Sequence, residues 1–330
     1  MRNLLIGFLA AGMLLSSMVG TGAAKTKWNA NSVWPPQNHQ SVALQEFADK
    51  VKERTNGELE IVVQTGGALG YKGPELLKAV RDGLVPLSDM LTSGVAGDEP
   101  IFAIPTLPFL TRSHAEAKTL AEISRPYFDK AAEKWGQKIL YIAPWPAAGL
   151  WTKAEVKSVA EMKGLKVRTY DKNGALVIEA TGGTPHALPF SEVYSSLATG
   201  LIDSVLTSTP TAVDAKFWEV LKFYQPINIT QATDLVTVNL KAFNKLDDAT
   251  QNLLIDLGKE MEQIMWERVA QLDKDQEAIC NKNGIATVPV SDEFLTELGA
   301  ITETIRSEWL QTAPEDAKAI YEAFLKTVGR

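Results

Sequence analysis

Short β-branched runs and helix-period segments alternate along this chain, and that alternation restricts it to sheets flanked by helices. Lys27 to Val33 reads as a first strand, and Ser41 to Arg54 follows as a helix carrying Val42, Leu44, Phe47 and Val51, stopped by Asn56-Gly57. Leu59 to Val63 is a strand ending in the glycine-rich loop Thr65 to Gly70. Pro74 to Asp82 is a helix opened by proline and closed by Gly83. Strand, helix, strand, helix predicts a parallel sheet with right-handed crossovers, an α/β fold.

The grammar restarts in the second half. Lys138 to Ala143 is a strand, and Pro144-Trp145-Pro146-Ala147-Ala148-Gly149 breaks it with two prolines, as a crossing between domains would. Gly164 to Thr169 is a short strand. Ser191 to Gly200 reads as a helix with Ser191 as its N-cap, and Leu201 to Leu206 is the next strand. Asp247 to Asn281 is strongly helical, either one long helix or two end to end, long enough to run along two domains as a spine.

Composition narrows the function. The 330 residues, 45% hydrophobic and 22% charged, can bury a large core or two ordinary ones. A net charge of −7 gives no basic field for a nucleic-acid backbone. The single cysteine, Cys280, excludes an intramolecular disulfide and reads as a small buried hydrophobe. The chain starts Met1-Arg2-Asn3, runs apolar and uncharged from Leu4 to Val19, and continues through the small residues Gly20 to Ala24. This is the pattern of a cleaved export signal, with the cut expected after Ala24 and residues 1–24 removed. The run is shorter than the ~20 residues a membrane span needs. With no cysteine near the cut, a lipid anchor is not expected and the mature chain should be free in solution. Neither GxxxxGK[ST] nor GxGxxG occurs.

Several motifs together carry a resemblance: Met162-Lys163-Gly164-Leu165-Lys166-Val167-Arg168, then Gly182-Gly183-Thr184-Pro185, then the run Pro189-Phe190-Ser191-Glu192-Val193-Tyr194 through Asp203. Thr55 to Leu59, Gly67 to Gly70, Leu107-Pro108-Phe109 and the long helix match as well. At these spacings, behind an export signal, the chain resembles the DctP-type solute-binding proteins of tripartite ATP-independent periplasmic (TRAP) transporters. The resemblance implies a two-lobed periplasmic binding protein of the type II-like kind, with hinge strands, a lobe-spanning helix and closure around a ligand. One lobe is expected from 25–145 plus 233–272, the other from 146–232 plus 273–330. It further implies periplasmic location, a small organic acid as ligand, and one small and one large membrane subunit as partners. No cofactor or metal, no catalysis and a monomeric state are expected.

The resemblance also assigns side chains. Arg168 takes the place of the arginine that pairs with a ligand carboxylate, and a planar guanidinium fork suits both oxygens of that group. Phe190 takes the place of a cleft aromatic. Where many relatives have glycine after the aspartate, and asparagine four residues on from it, this chain has Ser204 and Thr207. Thr207 and its neighbour Ser208 are therefore equal candidates for a polar contact. A further arginine carried by many sugar-acid binders is missing from Ala143 to Thr152, which holds Trp145 and Trp151 instead. With Trp34 at a strand end and Tyr71 after the glycine-rich loop, these aromatics favour a carboxylate with an apolar or aromatic body, although each one singly could equally be core. Aromatic or indole-type acids rank first, then branched 2-oxo acids, then C4-dicarboxylates or sugar acids. His39 follows Trp34 closely and is a further candidate ligand contact. His39, His114 and His186 lack a metal-ligand spacing. A ligand-binding sensor would share every motif, whereas an exported hydrolase would need a nucleophile elbow or a serine with a histidine partner, and neither is found.

Overall fold

Two sheets, each with its own core, account for the strands of a computed structural model that describes residues 25–330. The expected export signal lies outside the described residues. In chain order the strands are β1 (Thr26–Asn31), β2 (Leu59–Gln64), β3 (Leu87–Leu91), β4 (Gln137–Pro144), β5 (Gly149–Thr152), β6 (Lys166–Thr169), β7 (Thr184–Ala187), β8 (Ser204–Thr207), β9 (Phe223–Gln225), β10 (Thr233–Asn239) and β11 (Ala286–Thr287). The first sheet runs β2-β1-β3-β10-β4 and the second β11-β9-β5-β8-β6-β7.

The predicted parallel crossovers hold within each lobe, where β1 lies parallel to β2 and β3, and β6 parallel to β7 and β8. The sheets are nevertheless mixed. β10 enters the first sheet antiparallel to β3 and β4, and β5 enters the second antiparallel to β8 and β9. Both are strands that have just crossed from the other lobe, so they arrive from the opposite direction. The crossings lie side by side: Trp145 donates its backbone N–H to Ala232, Ala148 to Thr230 and Ile229 to Ala148, at 2.8–3.0 Å. Proline at 144 and 146 ends β4 there, as the sequence predicts.

The helix His39–Arg54 is capped by Asn38, whose side chain accepts from the Gln40 N–H. It buries Leu44, Phe47 and Val51 but leaves Val42 on the solvent side. The expected helix from Ser191 begins instead as a 3-10 turn, Phe190–Glu192, and becomes α-helical at Val193–Thr199 before Gly200 closes it in the left-handed region. Ser191 is therefore not an N-cap; Pro189 leads the chain directly into the tighter turn.

Asp248–Lys282 is a single helix of 35 residues, about 50 Å long at the standard rise. Leu254, Leu257, Met261 and Met265 join the first lobe's core, while Cys280 sits in the second's. Gly258 makes this possible, because a Cβ there would lie 2.3 Å from the Leu140 carbonyl oxygen of β4. Asp292–Thr312 packs on the second lobe through Phe294, Leu298 and Ile305. The last helix, Glu315–Thr327, returns to the first lobe and buries Ala317, Ile320 and Phe324 against Leu76, Phe102 and Phe128. The sequence reading expected all of 273–330 in the second lobe; the apolar face of the last helix finds its complement in the first.

Candidate ligand-binding site

The space between the lobes is built at the strand ends that meet the crossings. Trp34 lies just past β1 and Trp145 just past β4, and their rings meet edge to face with centroids 4.6 Å apart. Both indole N–H groups donate to one carboxylate, Asp234 at the start of β10, over 2.9 Å from Trp34 and 2.7 Å from Trp145. From the other lobe, Arg168 of β6 faces this pair of rings across an inner chamber of about 30 Å³, shared with Leu91, Tyr170 and Thr207. The chamber shares Trp34, Leu91, Arg168 and Tyr170 with a neighbouring cleft of about 540 Å³, whose lining also includes Tyr71 and Phe190. Phe190 stands edge-on to Trp34 at 6.0 Å.

Arg168 is almost wholly buried, with 4% of its surface exposed. Its Nε donates to the Leu188 carbonyl at 3.0 Å, and its terminal nitrogens have no hydrogen-bond partner among the described residues. No carboxylate lies within ion-pair distance of it among those residues. Asp171, the obvious neighbour, instead caps the helix Lys172–Ala180 by accepting from the Gly174 N–H at 2.8 Å. Burial pushes the Arg168 pKa down to about 10, so the group remains charged at neutral pH. A dry, positively charged fork with its ends turned to a cavity is a site for an anion, above all a carboxylate.

Polar groups complete the chamber. Thr207 ends β8 and Ser208 follows it; both are buried, and both line the chamber. Tyr170 shares a 2.6 Å hydrogen bond with Thr230 on the second crossing, which ties the ring to the hinge. Burial pushes the Tyr170 phenol up, so it acts as a neutral donor or acceptor.

Two expected contacts lie elsewhere. Trp151 is fully buried inside the second lobe, stacked on Tyr224 at 4.0 Å, with its N–H donated to the Thr207 carbonyl at 3.0 Å. It sits on the central strand β5, and the face it shares with Gly149 turns toward the lobe core; a Cβ at Gly149 would meet Tyr224 at 2.4 Å. His39 is half-buried behind Trp145, edge-on at 4.5 Å, with Nε2 3.4 Å from the Pro144 carbonyl. It supports the cleft wall rather than lining it. Trp34, Tyr71, Trp145, Arg168, Phe190, Thr207 and Ser208 are brought together around these two adjoining spaces.

Sequence reasoning missed Tyr170, Asp89 and Asp234. Tyr170 follows Arg168 by two, the spacing of one sheet face, and that was a usable signal. Each aspartate is the lone charge inside its strand, Leu87–Leu91 and Thr233–Asn239, and such a residue seldom stays in a core without a task.

Residues 30–312 match the sequence profile of DctP, the bacterial extracellular solute-binding protein family 7. The chain belongs to the DctP family. Among curated relatives it is 27% identical to the 2,3-diketo-L-gulonate-binding periplasmic protein YiaO of Escherichia coli, over 96% of each chain. Among solved structures it is similar to DctP7 of Bordetella pertussis, an extracytoplasmic solute receptor binding pyroglutamic acid, with 30% identity, a TM-score of 0.88, and coverage of 91% of this chain and 99% of that one. A TRAP solute-binding protein of a marine metagenome, specific for pyroglutamate, gives 29% identity and a TM-score of 0.87, covering 92% and 99%. This DctP protein is thus a solute-binding receptor of the TRAP type, and not an enzyme. Its two-lobed α/β fold with a long helix is that of the family.

Proposed function

We propose that this DctP protein captures a compact organic monocarboxylate with a ring-shaped, largely apolar body, of the pyroglutamate class, and delivers it to a TRAP membrane complex of one small and one large subunit. The observation that carries the reading is Arg168, a buried guanidinium without an ion-pair partner among the described residues, facing a wall of two indoles. The carboxylate meets Arg168, the ring lies against Trp34 and Trp145, Phe190 and Tyr71 cover it, and Thr207, Ser208 or Tyr170 satisfies its remaining polar group. Relatives near 30% identity that bind pyroglutamate support placing a compact ring ahead of larger indole-type acids. The mature chain from Lys25 works as a periplasmic monomer, with 25–145, 233–272 and 313–330 in one lobe and 146–232 and 273–312 in the other.

Calorimetric titration of unfolded-and-refolded, ligand-free protein with pyroglutamate, indole-3-acetate, a branched 2-oxo acid, a C4-dicarboxylate and glucuronate tests the ligand class. Binding of pyroglutamate in preference to the others is expected; preference for the dicarboxylate or the sugar acid overturns the compact-ring reading. Arg168→Ala removes two charge-assisted hydrogen bonds, and a loss of about 100-fold in affinity with the fold retained is expected. Affinity within threefold of the parent would remove Arg168 from the site.

A further inference from the structure

Asp89 and Asp234 are both fully buried, on adjacent strands and on the same face of the first sheet, since Asp234 pairs with Leu91 and Val236 with Asp89. That register makes them diagonal neighbours, and both are tied to Trp34, Asp234 through the indole N–H and Asp89 through Ser32, whose hydroxyl donates to Asp89 and accepts from the Trp34 backbone N–H. We propose that they share a single proton, Asp89 being the neutral donor and Asp234 the ionised acceptor, and that this pair positions Trp34 and Trp145 so that the chamber wall presents ring carbon rather than N–H.

The hydrogen-bond inventory assigns the roles. Asp234 receives an indole N–H on each oxygen, Trp34 on Oδ2 and Trp145 on Oδ1, which an ionised carboxylate with its spare lone pairs accepts best. Asp89 accepts only the Ser32 hydroxyl on Oδ2, at 3.3 Å, and its Oδ1 has no N–H or O–H donor among the described residues. Two like charges on diagonal positions of one buried sheet face oppose each other's ionisation. The groups placed near the pair supply no cation: Tyr141 on β4, Ser41 through Ser32, and His39, whose partial burial behind Trp145 keeps it neutral. Burial and the Asp234 charge push Asp89 well above the usual carboxylate range, while the indoles and Asp89 itself oppose that rise at Asp234.

The consequence for ligand choice rests on the proposed cleft. With both indole N–H groups committed to Asp234, this wall offers a ligand contact area and no hydrogen bond. A hydroxyl-rich acid pressed against it would leave hydroxyls dry and unpaired, whereas an apolar ring edge would not. Asp89 and Asp234 are positioning residues for specificity, acting through the tryptophans.

Nitrogen-proton NMR of the full mature chain without ligand tests the pair. The indole N–H resonances of Trp34 and Trp145 should lie downfield of the other tryptophans, as donors to an anion do. Asp89→Asn, whose amide can still donate to Asp234, should leave them downfield; Asp234→Asn, which offers one acceptor and one N–H₂, should release at least one. Equal displacement in both variants, or a larger one in Asp89→Asn, overturns the assignment. Should Asp234→Asn fail to fold, difference infrared spectroscopy at pH 7 decides: a protonated-carboxyl band in the parent must vanish in Asp89→Asn, and its persistence overturns the shared proton. With pyroglutamate and glucuronate as probes, Asp234→Asn should lower the affinity ratio at least tenfold, and an unchanged ratio overturns the specificity role. If the parent binds neither probe, the proposed ligand class fails while the spectroscopic arms still judge the pair.

Discussion

Burial of His39 against the Pro144 carbonyl sets an acid limit on stability. Its folded pKa is pushed down to about 4 from an ordinary 6.5. The neutral ring therefore stabilises fully above pH 6.5, and that contribution is lost as pH falls through 4, a difference of about 3 kcal/mol. Urea unfolding of the parent between pH 7 and 4 should show this loss, and His39→Gln should flatten that part of the curve. Trp151 behaves differently, since no titration touches it. Trp151→Ala should cost about 3–5 kcal/mol of unfolding free energy through the cavity left beside Tyr224, readable by the same method. These two residues also mark where sequence reading ends. The place of Arg168 at the cleft was legible because a short motif fixes both its strand and the place of that strand in the lobe. Trp151 was misread because alternation tells which residues share a face of β5, and not whether that face looks at the cleft or the core. Asp89 and Asp234 were not legible as a pair, because only the register of β3 against β10 brings them together.

At the level of elements, periodicity located the helices and strands it named to within a few residues but passed over β3, β10 and the helix His114–Lys134, while punctuation by proline and glycine located the first crossing. What it could not supply was direction: β5 and β10 run antiparallel to their neighbours because of where the chain has come from, and that information is topological. The last helix was assigned to the wrong neighbour for a similar reason, since an amphipathic face does not name its partner. The long helix, in contrast, carries a local marker in Gly258. Replacing it with alanine drives a Cβ into the Leu140 carbonyl, and a net loss of about 2 kcal/mol is expected even after the ~1 kcal/mol gained from helix propensity. Gly299, inside the helix Asp292–Thr312, has open space at the same position, so Gly299→Ala should stabilise by about 0.5–1 kcal/mol. Opposite signs in chemical unfolding would confirm that contact with β4, rather than composition, holds glycine at 258.

Across the whole molecule, a few polar contacts bridge the cleft. Asn38 of the first lobe donates to Asp214 of the second at 2.6 Å, Asn173 of the second donates to Thr106 of the first at 3.1 Å, and Lys72 lies 3.6 Å from Glu192. The last is exposed and contributes little. Asp214 is different, because burial at the junction pushes its pKa up to about 6. Protons bind more tightly to the form with the lobes together than to one with Asp214 in water, so acidification favours closure. Ligand release, followed by stopped-flow tryptophan fluorescence, should slow several-fold between pH 7.5 and 5.5. Asp214→Asn, which cannot titrate, should remove that dependence. If the parent's release rate is flat over this range, Asp214 does not report lobe closure.

The chain passes between the lobes four times: at Trp145–Ala148, at Ile229–Ala232, along the helix Asp248–Lys282, and at Ala313 before the last helix. A body hung on four straps, two of them hydrogen-bonded side by side and one a rigid rod, can swing about the line they define but can neither slide nor twist freely. Such a cleft measures its occupant as an angle. A bulkier acid stops the swing early and keeps the contacts at the lips apart, so across a graded series of ligands the degree of closure, and not only the affinity, should register molecular size.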